Sequence, residues 1–363
     1  MNKYTKIGLS ALCGSLASIS AANAGSIDVT GSALATYTSL GGQVTGNPIG
    51  MATGLTFTGN GELDGGQTFS VAIAHTNKNA YSSANITLNT NSTGTFKLSS
   101  AEGGAGIGGY DDNMPTAWEE VWDTGIATNA NFQKGVASTT NLSWKSPKFA
   151  GTTIQIAYTP ENDGSSNVKK ATSGGSDTFG SGWDIVLDTG TADGAINMFV
   201  GGSRTELAKV KTDRDLSGDH EEAVVGLQFK FGPVALGGQI SGERMRTRAV
   251  NTAEYYGNSS WGVAFNVNDA LSVSYSEARH LMTKTHKQSN PGGTYALAGG
   301  SNKGNPTNEY TPKSWMRGDS LQVAYTIGGV SLKYAQTEYD NTLFTFDAKA
   351  PKEHRIVAVS LAF

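Results

Sequence analysis

From Ile27 to the C-terminus, apolar and small polar side chains alternate with period two, and no apolar stripe recurs at 3.6-residue spacing over a helix length. A chain of this kind has only strands to fold with. Its connections constrain it further, because tight and long ones alternate along the whole sequence. Tight turns are expected at Asp64-Gly65-Gly66, Ser92-Thr93-Gly94, Phe149-Ala150-Gly151, Ala192-Asp193-Gly194, Gly232-Pro233, Asn268-Asp269 and Gly328-Gly329, all built from residues that accept turn geometry. Between them lie long loops rich in Gly, Ser, Asn and Thr, near 38–53, 75–84, 100–136, 160–182, 208–220, 247–255, 281–314 and 340–353. Seven turns and eight loops make fifteen connections and hence sixteen strands, with both chain ends on the side of the tight turns.

The parity within strands says what the two faces meet. Val357, Val359, Leu361 and Phe363 alternate with Ala358, Ser360 and Ala362, and Val225, Leu227, Phe229 and Phe231 alternate with Gly226, Gln228 and Lys230. The same pattern runs through 154–158, 263–267 and 321–327, so one face is apolar and the other small or polar. A soluble barrel or sandwich fills its inner face with large apolar side chains. A transmembrane antiparallel barrel does the reverse, turning apolar residues to lipid and polar ones to the lumen. The expected fold is therefore all-β, a sixteen-stranded membrane barrel without a packed core inside. Trp144, Tyr158, Trp261, Tyr325 and Tyr334 fall on the apolar faces, where interfacial belts sit.

Composition agrees with this reading. Charged residues are 16% of the chain, against about 25% in ordinary soluble domains. Only the N-terminal region is apolar for more than about ten residues, which excludes a helical membrane bundle, and a net charge of -4 argues against a nucleic-acid partner. That N-terminal region reads as an export signal. Lys3 and Lys6 precede the apolar Ile7–Ile19 stretch, and Ala22-Asn23-Ala24 is a small-x-small cleavage site, so residues 1–24 are expected to be removed, leaving the barrel as 25–363. Cys13 lies within the removed part, so the mature chain has no thiol for a disulfide, a cysteine metal site or a nucleophile. Leu12 directly before Cys13 does not match the small-residue context of a lipoprotein signal.

The cleavable signal, the sixteen alternating strands, the long third loop and the last strand, His354-Arg355-Ile356-Val357-Ala358-Val359-Ser360-Leu361-Ala362-Phe363, together resemble the Gram-negative general diffusion porins, most closely those of alphaproteobacteria. The resemblance covers nearly the whole mature chain, and the C-terminal Phe on an alternating strand is similar to the signal that barrel-assembly machinery recognises. It implies a water-filled homotrimeric channel in the outer membrane, in contact with lipid and lipopolysaccharide, with the third loop folded inward to narrow the pore. Ions and small hydrophilic solutes would cross it passively. A substrate-selective channel of the same architecture and a surface β-sandwich used for adhesion are the alternatives.

Loop 100–136 carries Glu102, Asp111, Asp112, Glu119, Glu120 and Asp123, and no Lys or Arg lies between Lys97 and Lys134. Folded into the lumen, Asp111, Asp112, Glu119, Glu120 and Asp123 would form the acidic side of a constriction, where grouped like charges select ions. Solvation of an external loop is the plainer reading of the same charge run. Strand parity points Lys97, Lys145, Lys230 and Lys333 inward, since a lysine facing lipid at mid-membrane depth costs about 2–4 kcal/mol. Acidic loop and basic wall would then face each other across the water path, with a weak cation preference expected from a mature charge of -6. Arg244, Arg246 and Arg248 lie near an outer strand end, where they could attract anions or lipopolysaccharide phosphates. Few rings are placed inward, Phe199 and Tyr339 being exceptions. His75, His220, His280, His286 and His354 are expected in loops or at strand ends without metal-ligand spacing, and no nucleophile elbow or cofactor motif is present, so no metal, cofactor or catalytic site is expected. Gly104-Ala105-Gly106-Ile107-Gly108-Gly109 matches a dinucleotide fingerprint by letter only, because no βαβ unit surrounds it.

Overall fold

A computed structural model describes residues 26–41, 47–77, 79–162, 179–207, 218–245, 253–284, 295–297, 300–302, 313–344 and 351–362. The expected signal at 1–24, Phe363, Arg246, Arg248 and His286 lie outside the described residues. The strands are β1 (Ile27–Leu40), β2 (Ile49–Glu62), β3 (Thr68–Thr76), β4 (Asn79–Thr90), β5 (Gly94–Ser100), β6 (Asn141–Lys145), β7 (Thr152–Thr159), β8 (Phe179–Gly190) and β9 (Ile196–Leu207). They continue as β10 (His220–Phe231), β11 (Val234–Arg244), β12 (Ala253–Asn266), β13 (Leu271–Lys284), β14 (Tyr295–Leu297), β15 (Gly300–Asn302), β16 (Lys313–Ile327), β17 (Val330–Asp340) and β18 (Lys352–Ala362). β14 and β15 pair only with each other. The other sixteen form one closed antiparallel barrel in which each strand pairs with its neighbours along the chain, and β1 closes on β18 from Ser32↔Ala362 to Leu40↔His354. Closure removes both sheet edges and excludes the two-sheet sandwich.

Side-chain direction follows the alternation. Val225, Leu227, Ile240, Leu321, Val357 and Val359 are exposed on the outer wall, while Val224, Gln322, Ala324 and Ala358 are buried on the inner one. So continuous an apolar outer surface is stable only against lipid. The tight turns depend on residues that tolerate positive φ. Gly94, at φ 95°, is packed so closely against the Lys145 carbonyl that a Cβ would overlap it, which reserves the position for glycine.

The interior departs from expectation. Among the described residues it holds three buried apolar clusters, one around Val121, Ile126, Met282, Met316, Tyr339 and Phe344, a second around Ile107, Tyr110, Val186, Phe199 and Val224, and a third around Val136 and Ala157. Strand parity gave the wall correctly. What it omitted is that the segment between β5 and β6, residues 101–140, enters the lumen and brings apolar side chains of its own. Phe199 and Tyr339 do point inward as expected, and both are fully buried beneath this loop.

Candidate functional site

The inner wall binds the loop by its backbone. Leaving β5, the loop reaches β8, where the amide of Ile107 donates to the Asp184 carboxylate at 3.2 Å and Tyr110 Oη donates to Asp188 Oδ2 at 2.9 Å. It then crosses the wall toward β17. Gln228 Nε2 donates to the carbonyl of Asn113, Gln239 Nε2 donates to that of Asp111 at 2.9 Å, and the Ala117 amide donates to Ser274 Oγ at 2.8 Å. Gln322 Oε1 accepts from the amides of Trp118 and Glu119, at 3.0 and 3.1 Å, and its Nε2 donates to the Glu119 carbonyl at 2.5 Å. Thr124 Oγ1 bonds Thr337 on β17 at 2.8 Å.

There the loop reverses and runs back nearer the outer strand ends. Asn258 Nδ2 donates to the Asn131 carbonyl at 2.8 Å, and Asn131 Nδ2 donates to Glu243. The amides of Lys134 and Gly135 each donate to a separate oxygen of Glu222 at 2.8 Å, and the Val136 amide donates to Asp184 at 3.2 Å. A loop backbone brought into a lumen loses water from its amides, and each unpaired one would cost about 1–3 kcal/mol. Side chains on β8 to β17 supply the missing partners. Because a β-strand's own backbone is spent on the sheet, only side chains of sufficient reach can do this, which is why Gln, Asn, Asp and Glu stand where small residues otherwise line the interior.

The reversal brings Asp111, Asp112, Glu119, Glu120 and Asp123 into one acidic group. Burial pushes the Asp111 carboxyl up to about 6, with further pressure from Asp112 and Asp123 and relief from Lys134. Glu120 is raised further, to about 8, chiefly by burial and then by Asp112, Glu119 and Asp123. Asp112 and Glu119 are raised for the same first reason, and Lys333 partly offsets the shift at Glu119. At neutral pH the group therefore does not carry its full formal charge, and Glu120 holds a proton. Asp112 and Asp123 are its exposed members.

The four lysines do not stand together opposite this group. Lys333 does reach it, with Nζ 5.7 Å from the Trp118 ring centroid. Lys97 instead pairs with Glu102 at 2.5 Å, at the root of the loop. Lys145 shares with that pair, Gln155 and Asp188 a 440 Å³ recess on the other side of the loop. Lys230 is exposed near the tight-turn end of β10, where its amide bonds the Ala195 carbonyl. The histidines also differ from expectation. His280 lies inside β13, buried, with Nδ1 2.8 Å from Asn258 Oδ1 and Nε2 3.2 Å from Tyr339 Oη, and His354 is buried on β18. Both strands extend past the boundaries expected from the loops' polar composition. His220 Nε2 lies 2.9 Å from Glu243 Oε1, a contact across neighbouring strands that linear spacing does not reveal. Arg244 points to the outer wall and lies 3.7 Å from Glu221.

Sequence profiles match residues 8–302 to the Gram-negative porins. No curated protein matches by sequence. Among solved structures, OmpF of Salmonella typhi in complex with daunomycin superposes with TM-score 0.61 at 13% identity, over 93% of this chain and 97% of that one. OmpT of Vibrio cholerae in its trimer form gives 0.60 at 10% identity, over 94% and 100%, and a refined porin structure gives 0.59 at 12%, over 93% and 100%. At such identities the structural likeness speaks to the fold alone.

Proposed function

Because the chain belongs to the Gram-negative porin family and is an outer-membrane barrel channel, we propose that it conducts ions and small hydrophilic solutes by passive diffusion through an aperture bounded by loop 101–140. The observation that carries this reading is the ladder of wall side chains that pins the loop along the inside of β8 to β17, narrowing the lumen. Asp111, Asp112, Glu119, Glu120 and Asp123 form its acidic side and Lys333 its nearest wall cation. Lys97, Lys145 and Lys230 act on solutes away from that group. Cations are favoured weakly, since burial keeps part of the acidic charge protonated at neutral pH.

Diffusion down a gradient needs no reacting group, and the reading is of a channel and not an enzyme. The trimer form in which the Vibrio cholerae relative is known supports a homotrimer here, with lipid and lipopolysaccharide around it. Residues 1–24 are read as the removed export signal, which N-terminal sequencing of outer-membrane protein would test. The function itself is tested by planar-bilayer recording under a KCl gradient. Stable ohmic steps with a reversal potential of weak cation preference are expected, and a clear anion preference would reject the assignment of the acidic group to the aperture.

A further inference from the structure

We propose that His220, Glu222 and Glu243 form a binding site for a divalent first-row transition ion, which fastens the returning limb of the lumenal loop. His220 and Glu222 are two residues apart on β10 and share its inner face, and β11 brings Glu243 into register with Glu222. One ligand atom from each, the imidazole nitrogen and two carboxylate oxygens, lies within 4.8 Å of the others. Ligands of a tetrahedral ion held at about 2.0–2.2 Å stand about 3.4 Å apart, a contraction that side-chain rotation supplies.

Two further observations point to a ligand. Glu222 and Glu243 are buried neighbours on the lumenal wall, and among the described residues His220 is the one basic side chain within ion-pair distance of either. The second lies in the loop itself. Asn131 donates to Glu243, and the Lys134 and Gly135 amides donate to Glu222, so this stretch lies directly over the cluster. Between those anchors Gln133 is 1% exposed, whereas Lys134 next to it is exposed. Neither amide atom of Gln133 has a hydrogen-bond partner. A buried carboxamide left unpaired in the stretch whose neighbours bind both carboxylates is available to give its oxygen as a fourth ligand.

The imidazole decides the class of ion. Ca²⁺ and Mg²⁺ prefer all-oxygen sites, whereas a nitrogen with two or three oxygens suits Zn²⁺ and its first-row neighbours. The contact that His220 Nε2 makes with Glu243 Oε1 at 2.9 Å gives way to coordination of both atoms by the ion. Each carboxylate would then hold the loop and the ion together, making occupancy a tension on the limb that borders the aperture.

The test is calorimetric titration of the folded, detergent-purified protein with ZnCl₂, with MgCl₂ as the comparison, alongside H220Q and E243Q. One saturable Zn²⁺ site per chain, absent for Mg²⁺, is expected. Loss of a ligand should weaken it at least by the ~10–100-fold that even an outer-shell partner is worth. In bilayers, Zn²⁺ should shift the reversal potential toward anions in the wild type and not in H220Q. No saturable site, or H220Q binding Zn²⁺ as tightly as the wild type, overturns the proposal. H220Q decides the matter if E243Q fails to fold, because the imidazole holds no part of the loop. Normal KCl conductance without a Zn²⁺ site sinks only the metal proposal, and absence of conductance sinks the channel reading.

Discussion

The two most perturbed carboxyls of the loop, Asp111 near 6 and Glu120 near 8, make the pore's selectivity a two-step function of pH. Both values are raised, so each group is neutral on the acid side and ionises as pH rises through it. At pH 5 both carry protons, at pH 7 Asp111 is largely ionised and Glu120 is not, and at pH 9 both are ionised. The aperture gains close to ~2 negative charges across that window. A unit charge about 6 Å from a permeating ion in water contributes about 0.7 kcal/mol, reduced to about 0.4 kcal/mol by screening at 0.1 M salt. It attracts K⁺ and repels Cl⁻ equally, so each charge changes the permeability ratio about fourfold, and both together change it about tenfold or slightly more. The assay is the reversal potential under a KCl gradient at pH 5, 7 and 9 for the wild type and E120Q. E120Q should keep the rise in cation preference between pH 5 and 7 and lose the rise between 7 and 9. A wild type that is flat with pH, or an E120Q that still climbs above pH 7, would refute the reasoning. Linkage adds a second readout. A carboxyl raised on folding stabilises the docked loop at low pH, and that stabilisation is lost as pH rises toward about 8. Wild-type current noise should therefore grow as pH rises toward about 8 and level off above it, and that of E120Q should not change over that window.

Three other substitutions separate anchoring from charge. Q322L leaves two loop amides and one carbonyl without their wall partner, so single-channel traces should show larger steps and more flicker. G135A places a Cβ at φ 54° against the Asp184 carboxylate; the strain of about 1–2 kcal/mol plus the clash should lower the temperature at which boiling in detergent unfolds the barrel on a gel. K333Q removes the wall cation next to Glu119 and should raise cation preference by up to about fourfold, whereas K230Q, near the tight-turn end of its strand, should change it less, both read as reversal potentials.

The barrel was legible because period-two alternation and the turn residues are local signals. Val357, Val359 and Leu361 announce their face within one strand, and Gly-rich turns announce where it ends. The loop's path was not legible, because it is fixed by single side chains on strands far apart in the sequence. Gln322 and Glu222 stand in sequence as ordinary inward polar residues, and nothing near them names Glu119 or Lys134 as partners. One signal was available: Asp184 is an acid at an inward mid-strand position without a neighbouring base, which implies a donor from elsewhere. The acidic group could be named from composition, since its members share one loop. Its protonation could not, because burial of Glu120 depends on how the loop lies, and the same holds for the lysines, which parity aims inward without fixing their height.

The loop's hydrogen bonds run from β4 round to β17, and among the described residues none reaches the inner faces of β1, β2 or β3. The register of those strands lines the bare arc with Thr30, Ser32, Thr36, Thr56, Thr58 and Ser70, hydroxyls with little charge among them. A solute in transit thus has ionised groups along one bank and a neutral, hydroxylated bank on the other. With no opposed charge to orient it, a zwitterion gains almost nothing from turning its dipole, so amino acids and uncharged sugars of equal size should cross at similar rates while salts of unlike valence do not.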